Sequence, residues 1–195
     1  QSERPGAVRL LYRTTATRTR WSRIIWPMAK SEGRAAMNFT HRPVLAEDVK
    51  TICSFAQGIQ ELFFMFPKAN YPLTEEQLHT AISQRFDSTV FEADGVVVGF
   101  ANFYRAEHNG ICCIGNVIVA PSARGQGVAG FIVTTMTALA FEKYQAEEVQ
   151  ISCFNQNTAG LLLYPKLGFV PFGIEERPAP DGGRSALIQM KRHRT

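Results

Sequence analysis

The chain has 195 residues, of which 45% are hydrophobic and 19% charged, which suffices for one domain with a sizeable core. No segment reaches the roughly 18 uninterrupted apolar residues that a membrane span needs. The net charge of +4 is uneven: residues 1–36 hold eight basic and two acidic residues, and the remainder holds 13 basic and 15 acidic ones. The globular part is therefore mildly acidic, and we expect a cytoplasmic protein that binds neither nucleic acid nor membranes.

Residues 1–36 have no clear apolar periodicity and run into the small, polar stretch KSEGRAAM. We predict that they form a basic, disordered or artefactual N-terminal extension, followed by one domain over residues 37–195. Two other interpretations remain open. The segment could be an Arg-rich, transit-like peptide, or it could lie upstream of a natural start at Met37.

The spacing of the four cysteines argues against a metal site and against a disulfide framework. These cysteines are Cys53, Cys112, Cys113 and Cys153. None forms a C-x-x-C pair and each lies in a largely apolar stretch, so the sequence predicts neither a metal site nor a disulfide framework. We expect buried, reduced thiols.

The first half of the domain alternates between helical and strand patterns. NFTHRPV predicts a short strand, and residues 45–67 have helical apolar spacing that ends at Pro67. A second helix is predicted over residues 73–86, with Thr74 and Gln77 spaced as in a capping box. Two strand patterns then flank Asp94-Gly95, a strong hairpin dipeptide.

The second half continues with a strand over residues 111–120 and an amphipathic helix over Val128–Lys143. EVQISCF contains no glycine or proline, which favours a central strand. Residues 157–167 are largely helical up to Gly168, and two further strand patterns close the chain. The order predicts an α+β fold, with a mixed, mostly antiparallel central sheet of six to seven strands and about four flanking helices.

The stretch ARGQGVAG joins the strand over residues 111–120 to the helix over Val128–Lys143. It fits two phosphate-binding patterns. The dinucleotide fingerprint G-x-G-x-x-G is satisfied by Gly125, Gly127 and Gly130. However, a Rossmann unit places an acidic residue at the end of the next strand, where this chain has Phe154 and Asn155. The shorter pattern R-x-x-G-x-A, from Arg124 to Ala129, keeps its context, because the loop runs directly into a helix N-terminus.

Here the sequence resembles the GNAT superfamily of N-acetyltransferases over Met37–Arg192. The resemblance depends on NVIVAPSARGQGVAG and on NQNTAGLLLYPKLGFVPFG, which is similar to the family segment N-x-x-A-x-x-x-Y-x-x-x-G-F. Gly160 replaces the usual alanine of that segment, and Pro165 is a second departure that could bend the helix after Tyr164. The resemblance implies that acetyl-CoA is the co-substrate and is bound by Val117, Ile118, Val119, Arg124, Gly125, Gln126, Gly127, Val128, Ala129 and Asn157.

The resemblance also implies the chemistry. An acetyl group would pass from the thioester to an amine of a small molecule or protein, and Tyr164 would protonate the departing thiolate. Glu92, Glu107 and His108 are candidates for a general base, but none is assigned. Four aromatic residues fall where the family binds its acceptor: Phe63, Phe64, Phe66 and Tyr71. We expect Phe63 at least to be a core residue.

The sequence leaves two other functions open. One is a nucleotide-dependent oxidoreductase of the Rossmann type, and the other is an acyl-CoA sensor without turnover. The protein would act as a monomer or homodimer.

Overall fold

The computed structural model describes residues 37–194, so the predicted extension lies outside the described residues. Seven strands form one sheet: β1 (Phe39–Pro43), β2 (Phe86–Ala93), β3 (Val96–Ala106), β4 (Ile111–Val119), β5 (Glu148–Phe154), β6 (Val170–Pro178) and β7 (Arg184–His193). The helices of this part of the chain are α1 (Asp48–Cys53), α2 (Ile59–Met65), α3 (Glu75–Ser83), α4 (Val128–Lys143) and α5 (Thr158–Leu163). These elements confirm the predicted α+β architecture. None of these helices is long and apolar enough to cross a membrane.

The strands are ordered β1-β2-β3-β4-β5-β7-β6. The β4–β5 pair is parallel, and every other neighbouring pair is antiparallel. The predicted hairpin is present, because Ala93 pairs with Val96 and both Asp94 and Gly95 have positive φ, as a type I′ turn requires. The predicted central strand EVQISCF is β5, which lies between β4 and β7.

The local signals around the helices are also confirmed. Thr74 accepts a hydrogen bond from the backbone N–H of Gln77 at 3.3 Å, and α3 starts one residue after Thr74. Helix α4 has the predicted bounds. After α5 the chain tightens into a short 3₁₀ turn over Tyr164–Leu167, with Pro165 in its first turn, and Gly168 ends it in the left-handed conformation.

The prediction of one helix over residues 45–67 is wrong. The chain forms α1 and α2 instead, separated by residues 54–58. In the break, Phe55 and Ala56 turn into the core, where they are 4% and 7% exposed. Gly58 is extended, and its carbonyl accepts from the N–H of Leu62 to begin α2. Burying Phe55 outweighs the continuous helical hydrogen bonding that the apolar spacing favours.

Strands β4 and β5 diverge partway along their length. Their register covers Ile111–Ile114 against Glu148–Ile151, although β4 continues to Val119 and β5 to Phe154. On the other edge of β4, the register with β3 shifts between Phe100 and Asn102 of β3. Opposite this shift, Asn116 of β4 has a φ of +51°. This β-bulge increases the local twist of β4. A cleft therefore opens between the C-terminal parts of β4 and β5, next to the loop that joins β4 to α4.

The helices cover both faces of the sheet beside this cleft. Adjacent residues of a strand point to opposite faces. The Phe154 ring lies 4.2 Å from the Phe63 ring of α2, whereas Cys153 lies against Gly160 of α5. Helices α2 and α5 therefore lie on opposite faces of β5.

Candidate active site

The loop between β4 and α4 leaves space in front of the helix. Gly125 and Gly127 have φ values of +72° and +89°, in the left-handed region that favours glycine. No atom lies within 4 Å of the position that a Cβ would take at either residue. The first turn of α4 starts at Val128, and its N–H groups lack intrahelical partners and carry the positive end of the helix dipole. This arrangement suits a phosphate group.

The other side chains of the loop brace it. Gln126 Nε2 donates to the carbonyl of Ser122 at 2.8 Å, and Val128 is buried in the core at 1% exposure. The predicted contacts of these two residues with acetyl-CoA therefore fall to their backbone N–H groups.

Arg124 does not extend freely at the rim of the loop. Its Nη1 and Nη2 atoms donate to the two carboxylate oxygens of Glu61 on α2 at 2.7 and 2.9 Å. Nη2 also donates to the carbonyl of Phe55 at 3.2 Å, and Nε donates to that of Val119 at 3.3 Å. The guanidinium lowers the pKa of Glu61, chiefly through the side-chain hydrogen bond. Of the five N–H donors of the side chain, one Nη1 hydrogen remains for a ligand.

The end of β4 offers backbone groups to the cleft. Ile118 and Val119 pair with Phe100 and Gly99 of β3 on one edge. The opposite edge, which faces β5, has no strand partner beyond Ile114 among the described residues. Ile118 and Val119 thus combine a satisfied edge with an open one, and the open edge leads to the glycine loop; Val117 lies in the bulge, where the register assigns it no partner on β3.

Asn157 and Tyr164 lie on the β5 side of the cleft. Asn157 caps α5, because its Oδ1 accepts from the N–H of Gly160 at 3.1 Å. Gly160 replaces the family's alanine for a local reason: a Cβ there would lie 2.7 Å from Cys153 Sγ. Tyr164 begins the 3₁₀ turn that Pro165 imposes, and it is 6% exposed.

The hydroxyl of Tyr164 has no hydrogen-bond partner within residues 37–194, and the residue is 6% exposed. Burial raises its pKa, and the nearby Cys153 adds to the effect. The same burial raises the pKa of Cys153 to about 11. Both groups keep their protons at neutral pH.

A sequence model of the acetyltransferase (GNAT) family matches residues 55–169, the segment that contains the loop, the cleft and Tyr164. The chain belongs to the GNAT acetyltransferase family. It is accordingly an acyltransferase, and the family's enzymes use acetyl-CoA.

Solved structures agree with this fold. The ribosomal-protein-alanine N-acetyltransferase of Brucella melitensis is 20% identical, with a TM-score of 0.64, over 80% of this chain and 99% of that one. YncA of Salmonella typhimurium, solved with its cofactor acetyl-CoA, is 18% identical, with a TM-score of 0.63, over 80% and 94%. A spermidine N-acetyltransferase chimera of Vibrio cholerae SpeG is 16% identical, with a TM-score of 0.67, over 80% and 95%. At these identities the likeness concerns the fold.

The candidate bases lie away from the cleft of this GNAT domain. Glu92 on β2 binds Arg42, with Oε1 2.9 Å from Nε. Glu107 pairs with Arg105 at 2.7 Å, and the His108 ring lies 5.4 Å from that of Tyr144. Glu107 and His108 precede Ile111, at the opposite end of β4 from the glycine loop.

The expectation that Phe63 is a core residue is wrong. It is half-buried, packs on Phe154 and lines a cavity of about 320 Å³. The cavity lies between the α2–α3 segment and the β6–β7 turn, and its walls include Ile59, Tyr71 and Pro178. Two of the predicted acceptor-site aromatics, Phe63 and Tyr71, therefore line one cavity.

Phe66, a third predicted acceptor-site aromatic, belongs to a second group with Arg85, Tyr104 and Gly115, three residues that no sequence pattern indicated. A Cβ on Gly115 would lie 2.8 Å from Arg85 Nη1 and 2.9 Å from Tyr104 Cδ1. Phe66 follows α2, Arg85 follows α3, and Tyr104 and Gly115 lie on β3 and β4, so no single motif contains them. The one available signal was Gly115 itself, since a glycine inside a strand often marks a close approach by other groups.

Proposed function

We propose that this GNAT protein transfers the acetyl group of acetyl-CoA to an amine of a small molecule or a protein. The observation that carries the proposal is the divergence of β4 from β5 directly before a glycine loop with open space in front of a helix N-terminus. The residues present fit acetyl-CoA, because the loop offers unpaired N–H groups to a pyrophosphate and the open edge of β4 offers backbone groups to an extended arm.

Each predicted site residue has a role in this proposal. The backbone N–H groups of residues 125–129 bind the pyrophosphate, and Arg124 adds positive charge beside them. Val117, Ile118 and Val119 hold the pantetheine arm along their open edge, while Asn157 caps α5 beside it. Acetyl-CoA, when bound, supplies an acyl group activated as a thioester.

Tyr164 holds a proton for the sulfur that leaves. Its raised pKa keeps the hydroxyl protonated, and the same low-polarity surroundings raise the proton affinity of a thiolate formed beside it. Because β4 carries no carboxylate between Ile111 and Val119, we assign no general base, and the amine is expected to enter in its neutral form. A cytoplasmic location and a monomeric or homodimeric state remain predictions.

The test begins with binding. Acetyl-CoA should raise the melting temperature of the full chain by mass action, and NADH should not. A shift with NADH alone would favour the oxidoreductase alternative. An amine panel with thiol detection of released CoA then separates an enzyme from an acyl-CoA sensor, which would show the shift without turnover.

A further inference from the structure

Arg85 follows α3 and lies between two aromatic rings. Its Cζ atom is 5.4 Å from the centroid of Phe66 and 6.0 Å from that of Tyr104, distances typical of cation–π contacts. Nη1 donates to Asn102 Oδ1 at 3.1 Å. The rings and this hydrogen bond hold the guanidinium in one orientation.

The charge of Arg85 has no carboxylate partner within residues 37–194. Five other arginines there pair with an acidic side chain: Arg42, Arg105, Arg124, Arg177 and Arg184. Arg85 instead lines a cavity of about 330 Å³ with Lys68, Thr80 and Gln84, and no acidic residue lines it. Burial lowers the pKa of Arg85, and no described carboxylate offsets that cost. A partly buried cation of this kind is stabilised by an anion.

The guanidinium lies at the closed end of the cleft. Arg85 Nη1 is 2.8 Å from the position that a Cβ of Gly115 would occupy, and Gly115 directly follows the last β4 residue that pairs with β5. Val117, the first predicted acetyl-CoA contact, is two residues further, or about 7 Å along the strand. Arg85 therefore lies beside β4 about two residues from the backbone that would hold the thioester end of acetyl-CoA.

Two buried side-chain amides form a hydrogen-bonded chain that holds Arg85 in place. Asn102, which accepts from Arg85, donates through Nδ2 to Asn116 Oδ1 at 3.0 Å. Asn116 donates in turn to the carbonyl of Met65 at 3.0 Å. Both amides are buried, at 0% and 3% exposure, so this chain is rigid. It occupies one N–H of Arg85 and leaves four without a partner among the described residues.

We propose that Arg85, assisted by Lys68, binds an anionic group carried by the acceptor, so that the substrate is a small amine with a carboxylate, phosphonate or phosphate a few bonds from its nitrogen. This inference rests on the proposed acetyl transfer and specifies its substrate class. A planar guanidinium binds two oxygens of such a group at once, and the amine would then point along β4 toward Val117.

The first experiment measures binding without turnover. Propylphosphonate, which lacks an amine, should raise the melting temperature of the wild-type protein, with and without CoA, and propylamine should not. In Arg85→Gln the propylphosphonate shift should disappear, while the shift with acetyl-CoA persists. The absence of any wild-type shift with millimolar propylphosphonate and 4-aminobutyrate would overturn the inference. A missing shift with acetyl-CoA would instead count against the proposed function, and the propylphosphonate comparison would still report on Arg85.

The second experiment compares matched acceptors. Wild-type kcat/KM should be higher for 3-aminopropylphosphonate, 4-aminobutyrate or O-phosphoethanolamine than for propylamine or spermidine. Arg85→Gln should lower it about 10- to 100-fold for the anionic amines, as expected for lost charged hydrogen bonds, and at most about twofold for propylamine. Whichever anionic amine leads identifies the carboxylate or the phosphorus acid as the preferred group.

Two control variants separate recognition from structure. Arg85→Lys keeps the charge and should retain part of the selectivity. Arg105→Gln removes an exposed arginine that is already paired with Glu107 and should leave the selectivity unchanged. An equal loss for anionic and neutral amines in Arg85→Gln would show that Arg85 only packs between Phe66 and Tyr104. A wild-type preference for spermidine would likewise overturn the inference.

Discussion

The two sides of β4 are built in different ways. On the proposed cofactor side, residues 117–129 form a continuous stretch that would act mainly through backbone groups. On the proposed acceptor side, Phe66, Arg85 and Tyr104 come from three separate segments and would act through side chains over Gly115. A site made of backbone groups needs a short local conformation, so a motif can encode it. A site made of side chains needs the tertiary structure to bring distant residues together.

The largest expected effect concerns Tyr164, on the cofactor side. Tyr164→Phe should lower kcat by roughly 10²–10⁴-fold, the usual contribution of general acid catalysis, with little change in acetyl-CoA affinity. Because the hydroxyl has no described hydrogen-bond partner, the free energy of unfolding should change by less than about 0.5 kcal/mol. Burial raises the pKa of Tyr164, so an alkaline loss of kcat that depends on this residue should begin above about pH 10.

Tyr144→Phe is the matched control for that variant. The Tyr144 hydroxyl donates to Asp87, at the end of α4 remote from the glycine loop. Its loss should cost about 1–2 kcal/mol of unfolding free energy and leave kcat unchanged. Turnover of Tyr164→Phe within a fewfold of the wild type would make Tyr164 a packing residue.

The second effect tests whether the glycine loop binds by itself. Gly127→Val places a side chain in the open space before α4 and should weaken acetyl-CoA binding about 10- to 100-fold, as expected for lost charged hydrogen bonds. Gly95→Val is a close control, because Gly95 also has a positive φ (+82°) and open space around its Cβ position. Both variants should lose similar stability from backbone strain, about 1–2 kcal/mol. Calorimetric titration with acetyl-CoA should separate them, and equal affinities would contradict the loop assignment.

The third effect concerns the fit between β5 and α5. Gly160→Ala should lower the free energy of unfolding by about 1–2 kcal/mol, because the new methyl group overlaps Cys153 Sγ. In a Cys153→Ala background the cost should fall to a few tenths of a kcal/mol, which the contact with Asn157 Nδ2 at 3.2 Å would still impose, so the coupling energy in denaturant unfolding is about 1 kcal/mol. Gly130→Ala in α4, where the nearest atom would be Leu163 Cδ1 at 3.9 Å, should be neutral or stabilising. Additive costs at residues 153 and 160 would refute the explanation of Gly160.

The smallest effect tests the contact that joins α2 to the loop. The Glu61–Arg124 pair is 36% and 42% exposed, so Glu61→Gln should cost less than about 1 kcal/mol of stability. Acetyl-CoA affinity should change by less than about threefold, since the loop binds through its backbone. Glu107→Gln, which breaks a similarly exposed pair with Arg105, provides the control. A tenfold loss of affinity in Glu61→Gln alone would show that α2 holds the loop in its binding conformation.

Elements with a local physical cause could be predicted from the sequence. The Asp94-Gly95 hairpin, the Thr74 cap, the bounds of α4 and the stop at Gly168 each depend on a few neighbouring residues. The glycine loop belongs to the same class, because its left-handed positions favour glycine wherever the loop lies in the fold. The family followed from two such motifs in the expected order.

Other features depend on contacts between residues far apart in the chain, and only the tertiary structure decided them. Apolar spacing favoured one helix over residues 45–67, but burial of Phe55 split it in two. The guanidinium of Arg124 binds Glu61, 63 residues away, so most of its N–H donors are occupied. Arg85 lies between two aromatic rings and beside Gly115 because the end of α3 is close to the bulged strand β4. Side-chain contacts of this kind have no fixed spacing in sequence, because they depend on how the sheet twists and where its strands diverge.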